Sequence, residues 1–78
     1  MQKPSIRIRK DFLKRQREIA GIASEEAQAR LLGVDRATLR RIDAGSQPSG
    51  YFMAAVADTY GIGLGEAFEV VREEQAAA

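Results

Sequence analysis

Between Ser24 and Gly45 the chain reads SEEAQARLLGVDRATLRRIDAG, and no other stretch limits the fold so tightly. Gly33 lies between two amphipathic segments, where the backbone needs a residue that tolerates positive φ. Gly45 closes the second segment. Ser24 is placed to cap one helix and Asp35 the next, because a short side-chain oxygen accepts from the first unpaired N–H groups of a helix. Glu25 and Glu26 in the first turn suit the positive end of the helix dipole. The stretch predicts two short helices joined by a tight turn, one ending at Leu32 and the next covering Arg36–Ala44.

The flanking sequence extends the helical reading. Asp11 can cap a helix reaching about Ala20, with Phe12, Leu13, Gln16, Ile19 and Ala20 on one stripe and Gly21 ending it. Pro48 and Ser49 announce a helix from Gly50 to about Tyr60, with Phe52, Ala55, Val56 and Tyr60 on one face and Gly61 stopping it. Leu64–Phe68 could form a fifth helical turn. Ser5–Arg9, SIRIR, alternates polar and apolar residues, so it predicts a short strand with Ile6 and Ile8 inward. Phe68–Val71 could then be extended and pair with it. Met1–Ser5 and Glu73–Ala78 read as frayed ends. The expectation is a mostly all-α domain of five helices spanning 1–78, with room for a small two-stranded sheet from the N- and C-terminal segments.

Composition removes whole classes of function. The 78 residues contain no cysteine and no histidine, which excludes disulfides, most zinc sites and the commonest general base. The longest apolar run, Tyr51–Ala57, is far too short to span a bilayer, and no secretory leader opens the chain. The expectation is a soluble cytoplasmic protein with no cofactor and no bound metal. The net charge of +1 hides an asymmetry. Residues 1–41 hold eleven Lys/Arg against five acids, or +6, whereas residues 42–78 hold one against six, or −5. Such a split suits a protein that turns one face to a polyanion; a chance imbalance in a small domain gives the same count.

On a helix turning about 100° per residue, Leu39 and Ile42 fall together with Thr38 beside them, toward a core. Arg36, Ala37, Arg40, Arg41 and Ala44 fall opposite. A planar guanidinium matches the O6/N7 acceptor pair of guanine and equally the oxygens of a phosphate, and alanines allow close approach to base edges. A solvated charged face is the bland alternative. The glycine turn and the preceding cap favour a helix-turn-helix that reads a DNA major groove.

The pattern A-x-x-L-G-V-x-R-x-T-L-x-R-I-x-x-G, filled by Ala29, Leu32, Gly33, Val34, Arg36, Thr38, Leu39, Arg41, Ile42 and Gly45, resembles the phage repressor/Cro-type (XRE) helix-turn-helix family. The likeness continues through Pro48-Ser49, AVADTYGI and LGEAFEV, covering about residues 9–71. It implies a sequence-specific regulator that binds double-stranded DNA as a homodimer and represses by occupying an operator at the nucleoid. It also implies site residues. Arg36, Ala37 and Arg41 match positions facing base edges, and Thr38 matches one near a phosphate or base. Glu25 matches a polar position that meets the DNA backbone, and the segment from Ser46 to Ser49 matches a loop that meets the other strand. The chain departs from the pattern at Glu25, which is acidic, at Ser46, where lysine is frequent, and at Gln28, where a core leucine is usual. An extra residue also stands between Gly21 and Ser24.

Other features keep two readings open. The basic run Arg7, Arg9, Lys10, Lys14, Arg15 and Arg17 is either a solubilising surface or a backbone-contacting one, with Arg15 and Arg17 the candidates beside Arg40 on the recognition face. Leu64, Phe68, Val70 and Val71 either close the monomer core or form a dimer seam, and the two are compatible. Gly61, Gly63 and Gly65 lack the flanking strand and lysine of a phosphate loop and read as turn residues. A second function class stays in view: an antitoxin-like or adaptor protein whose acidic half holds a protein partner. Catalysis is not expected, because no shaped pocket of acids or bases is foreseen.

Overall fold

The computed structural model describes residues 3–72. The order is β1 (Pro4–Ile8), α1 (Phe12–Ala20), α2 (Glu25–Leu32), α3 (Arg36–Asp43), α4 (Gly50–Tyr60), α5 (Leu64–Ala67) and β2 (Phe68–Arg72). Five helices and the optional sheet are therefore both present. The strand begins at Pro4, so residues 4 and 5, expected to fray, are paired instead; residues 1–2 and the expected loose tail 73–78 lie outside the described residues. Among the described residues no helix is long and apolar enough to cross a membrane.

The strands are antiparallel, with Ile8 opposite Phe68 and Ile6 opposite Val70. Because β side chains alternate between faces, these four share the inner face, while Arg7 and Glu69 stand opposite each other on the outer one. The pairing joins the two ends of the described chain and seats Phe68 against Phe52, ring centroids 6.4 Å apart and nearly perpendicular.

Caps set the helix limits. The Ser24 hydroxyl accepts from the Ala27 N–H at 3.1 Å, Asp35 from Thr38 at 2.7 Å and Ser49 from Phe52 at 3.1 Å. Asp11 behaves differently from the sequence expectation. It precedes α1 in a left-handed conformation, φ 63°, and its side chain makes no capping bond; the chain must turn sharply out of β1 there, and the Phe12 N–H donates to the Arg9 carbonyl at 3.1 Å instead. Gly33 is constrained by its φ of 76°, where a side chain is strained; the hydroxyl end of the exposed Tyr51 side chain lies over the same position.

The core gathers Leu13, Leu32, Leu39, Phe52 and Val56 with Ile8, Phe12, Ile42 and Phe68 around them. The stripe on α1 stops halfway. Phe12 and Leu13 are buried and Gln16 is half-buried, but Ile19 is 77% exposed and Ala20 is also exposed. The first turn docks α1, with Phe12 edge-on to Tyr60 at 6.1 Å between centroids, and the last turn extends past the core.

Gln28, the polar residue at an expected leucine position, is fully buried. Its amide nitrogen donates to the Leu13 carbonyl at 3.0 Å and to the Tyr60 hydroxyl at 3.1 Å. Its amide oxygen accepts from Arg17 at 2.8 Å. One side chain on α2 thus ties α1 to α4. Replacing it strips partners from groups already removed from water, so Gln28→Leu should cost about 1–3 kcal/mol despite its apolar gain. Urea unfolding of both proteins checks this; equal midpoints would show that the network adds nothing over a packed leucine.

Candidate nucleic-acid interface

Helix α3 owes its placement to its apolar edge. Leu39 and Ile42 are buried, so the opposite face, Arg36, Ala37, Arg40, Arg41 and Ala44, is left exposed as the spacing requires. Three residues, Gly33, Val34 and Asp35, separate α2 from α3, and the Gly33 and Val34 N–H groups fold back onto the carbonyls of Arg30 and Ala29.

The three arginines of α3 have three different surroundings. Arg41 donates from Nη2 to the Thr38 hydroxyl at 3.1 Å, while the Thr38 N–H is held by Asp35. Arg40 points its Nε to Glu25 Oε1 at 3.0 Å, across to the first turn of α2. Arg36 makes no ion pair among the described residues. Thr38 is half-buried and serves as the brace between Asp35 and Arg41.

The candidates on other elements divide. Arg15 stays exposed, its Nη1 3.5 Å from the Lys10 carbonyl. Arg17 does not stand free for a phosphate: it is half-buried and spent on Gln28. Glu25 is not a neutral backbone-facing group but the partner of Arg40. Ser46 is exposed and its N–H is bonded to the Arg41 carbonyl at 3.0 Å; Ser49 uses its hydroxyl as the cap of α4. The basic run is also broken at its start, because Glu69 takes Arg7 at 2.9 Å and Arg9 at 3.2 Å.

The expected dimer seam narrows. Phe68 is core, only 5% exposed, so it cannot serve as a free surface. Val71 is half-buried on the outer face of the sheet. Val70 and Leu64, 66% and 51% exposed, remain open. They border a shallow groove of about 330 Å³ with Ile6, Met53 and Phe68.

Three functional contributors escaped the sequence reading. Gln47 accepts the Ile6 N–H on its amide oxygen at 3.1 Å, across a separation no local pattern reveals. Tyr60 supplies a polar hydroxyl to Gln28 although its ring spacing marks it only as core. Glu69 was legible in principle: once FEVVR pairs with SIRIR, an acid on the outer face must meet its arginines. Among the described residues no acid cluster is arranged to hold a metal ion.

Two carboxyls on α3 titrate in opposite directions. Asp35 lies below its ordinary 3.8, first through the Thr38 backbone N–H, then the Thr38 side chain, with the Arg41 charge adding. Asp43 lies above 3.8, first by partial desolvation, with Glu25 and Asp11 pushing the same way and Arg17 opposing.

No protein-family model, no curated protein and no solved structure matches this chain.

The shifts set a pH dependence. A lowered folded value means that the stability Asp35 adds is present above 3.8 and lost as pH falls through the folded value. The raised Asp43 works the other way: its contribution is present in acid and is lost as pH rises through its folded value. Asp35→Ala should therefore be less stable than the parent at neutral pH, with the gap closing in acid. Thermal melts followed by circular dichroism across that range check this, and a gap independent of pH would remove the titrating cap from the account.

Proposed function

We propose that the chain is a sequence-specific DNA-binding regulator of the phage repressor/Cro helix-turn-helix kind, acting as a repressor by occupying an operator. The observation that carries this reading is the exposed face of α3, where Arg36, Arg40 and Arg41 flank the small Ala37 opposite a buried apolar edge. In this reading α2, the Gly33 turn and α3 are the helix-turn-helix, and α3 enters the major groove with Arg36 leading. Arg36 and Arg41 read base edges; Arg15, the exposed Ser46 side chain and the exposed Lys10 and Lys14 meet phosphates, which position the protein without reading sequence. Its place is the cytoplasm, at the nucleoid.

A second copy belongs to the same reading, because one helix reads only a few base pairs. The free edge of β1 is poorly suited to pairing: Pro4 has no N–H and the Ile6 N–H is engaged by Gln47. In an antiparallel ladder, residues alternate between bonds to the partner strand and bonds outward. The Ile6 backbone N–H faces away from β2, so the backbone groups of Val70 opposite it face away from β1, beside the open apolar groove. The same groove favours a second reading, an antitoxin-like or adaptor protein that binds a protein partner there. A gel shift on the DNA upstream of its own coding sequence at two salt concentrations separates the readings, since an adaptor forms no sequence-specific complex.

Two outcomes follow. Arg36→Ala and Arg41→Ala should each cost about 1–3 kcal/mol of discrimination between matched and mismatched sites, if each arginine takes one base pair. Unchanged selectivity in both would displace α3 from the groove. For assembly, the specific complex should contain two chains, with Val70→Asp weakening it and leaving the fold intact, whereas Phe68→Asp should unfold the protein. One chain per site, indifferent to Val70→Asp, argues for a monomeric binder or a different partner.

A further inference from the structure

We infer that Glu25 determines how Arg40 is used on DNA: it withholds this arginine from phosphates and holds it as a pre-oriented reader of a base edge. The inference rests on the DNA-binding reading above.

The Glu25 carboxylate meets Arg40 at Nε, 3.0 Å away, with the two side chains 33% and 61% exposed. One contact on Nε leaves the two terminal nitrogens as a fork, the part of a guanidinium that matches guanine O6 and N7. The surroundings reinforce the pairing. Glu25 shares the first turn of α2 with Glu26, and Asp43 at the end of α3 feels the negative charge of both Glu25 and Asp11. Arg17 opposes them at Asp43 and keeps its charge, because its partner Gln28 is a neutral amide. The carboxylate paired with Arg40 is therefore what offsets its charge and opposes a phosphate there. Arg41 has no such partner: its brace, Thr38, is a neutral hydroxyl, so Arg41 keeps its full charge.

Two kinds of arginine result on one helix. Arg36 and Arg41 retain charge and release counterions when they meet DNA. Arg40 is neutralised before DNA arrives, so it contributes to base choice with little salt dependence. An exposed ion pair contributes little to stability, which leaves selectivity as what the Glu25–Arg40 contact changes.

The test is binding of the intact chain to two labelled duplexes, one selected from random DNA and one of unselected sequence, by fluorescence anisotropy over a range of salt. Glu25→Gln should tighten binding to the unselected duplex severalfold and steepen the salt dependence by about one phosphate contact. The ratio of selected to unselected affinity should fall. Arg40→Ala should weaken the selected site by about tenfold, the range for one lost base contact, with the parental salt slope. Glu26→Gln, the same charge change one residue along, should leave base preference at the Arg40-dependent position as it was. Circular dichroism melts confirm that the variants fold.

An unchanged slope and ratio in Glu25→Gln would overturn the inference. So would an Arg40→Ala salt slope shallower than the parent's by about one phosphate contact, the change expected of Arg15→Ala, which makes Arg40 a phosphate contact. Failure of the DNA-binding reading itself has a separate signature: the parent then shows no preference for any duplex.

Discussion

A buried amide on α2 is the contact that the arrangement of helices depends on. Burying an amide without partners costs about 2–7 kcal/mol, so Gln28 fits the core only if α1 and α4 present the groups it needs in the right places. Leu13 offers a carbonyl, Tyr60 a hydroxyl, and Arg17 comes from outside to satisfy the oxygen. An apolar residue there would accept many packings; an amide accepts few. The network fixes α2 against two neighbours, and through the short Gly33 turn it fixes α3 as well. Whatever α3 does with its exposed arginines depends on that placement.

The cost of the network is visible on the surface. Arg17, part of a dense basic run, is half-buried with one guanidinium nitrogen held by the Gln28 amide. Glu69 pairs with both Arg7 and Arg9 and offsets one of their two charges, because the sheet that closes the core brings the basic first strand against an acid on the last one. Among the described residues, the α3 cations Arg36 and Arg41 and the cations Lys10, Lys14 and Arg15 around the start of α1 have no ion-pair partner. In the proposed function these cations matter more than the net charge, since counterion release depends on cations free to meet phosphates.

The exposed face of α3 is itself graded. Arg36 is unencumbered by an ion pair, Arg41 is braced by a neutral group and Arg40 by an anion. Three identical side chains within six residues therefore carry different electrostatic weight, set by Thr38 on the same helix and Glu25 on the preceding one. In the proposed function, a uniform arginine stripe would bind DNA strongly and choose poorly, whereas a graded one separates attraction from choice.

Much of this was legible in the sequence because its causes are local. Helix limits follow from Ser24, Asp35 and Ser49, whose oxygens reach N–H groups three residues on, and from glycines that stop helices with positive φ. The exposed face of α3 follows from the spacing of Leu39 and Ile42, and the first strand from alternation. The exceptions also had local appearances that misled. Asp11 looked like a cap, but the exit from β1 set its backbone first. Ile19 continued a stripe, but it lies beyond the edge of the core and is exposed. Phe68 looked available for a seam, yet Phe52 claims it. The pairings that assign roles, Arg17 with Gln28, Arg40 with Glu25, Gln47 with Ile6 and Glu69 with two arginines, join residues from 11 to 62 positions apart. Sequence by itself determined which segments could be helix or strand and which faces were apolar, since short-range sterics and hydrogen bonds decide those. Only the tertiary structure decided which charges remain free, because a charge is cancelled by whatever the fold places within a few ångströms of it.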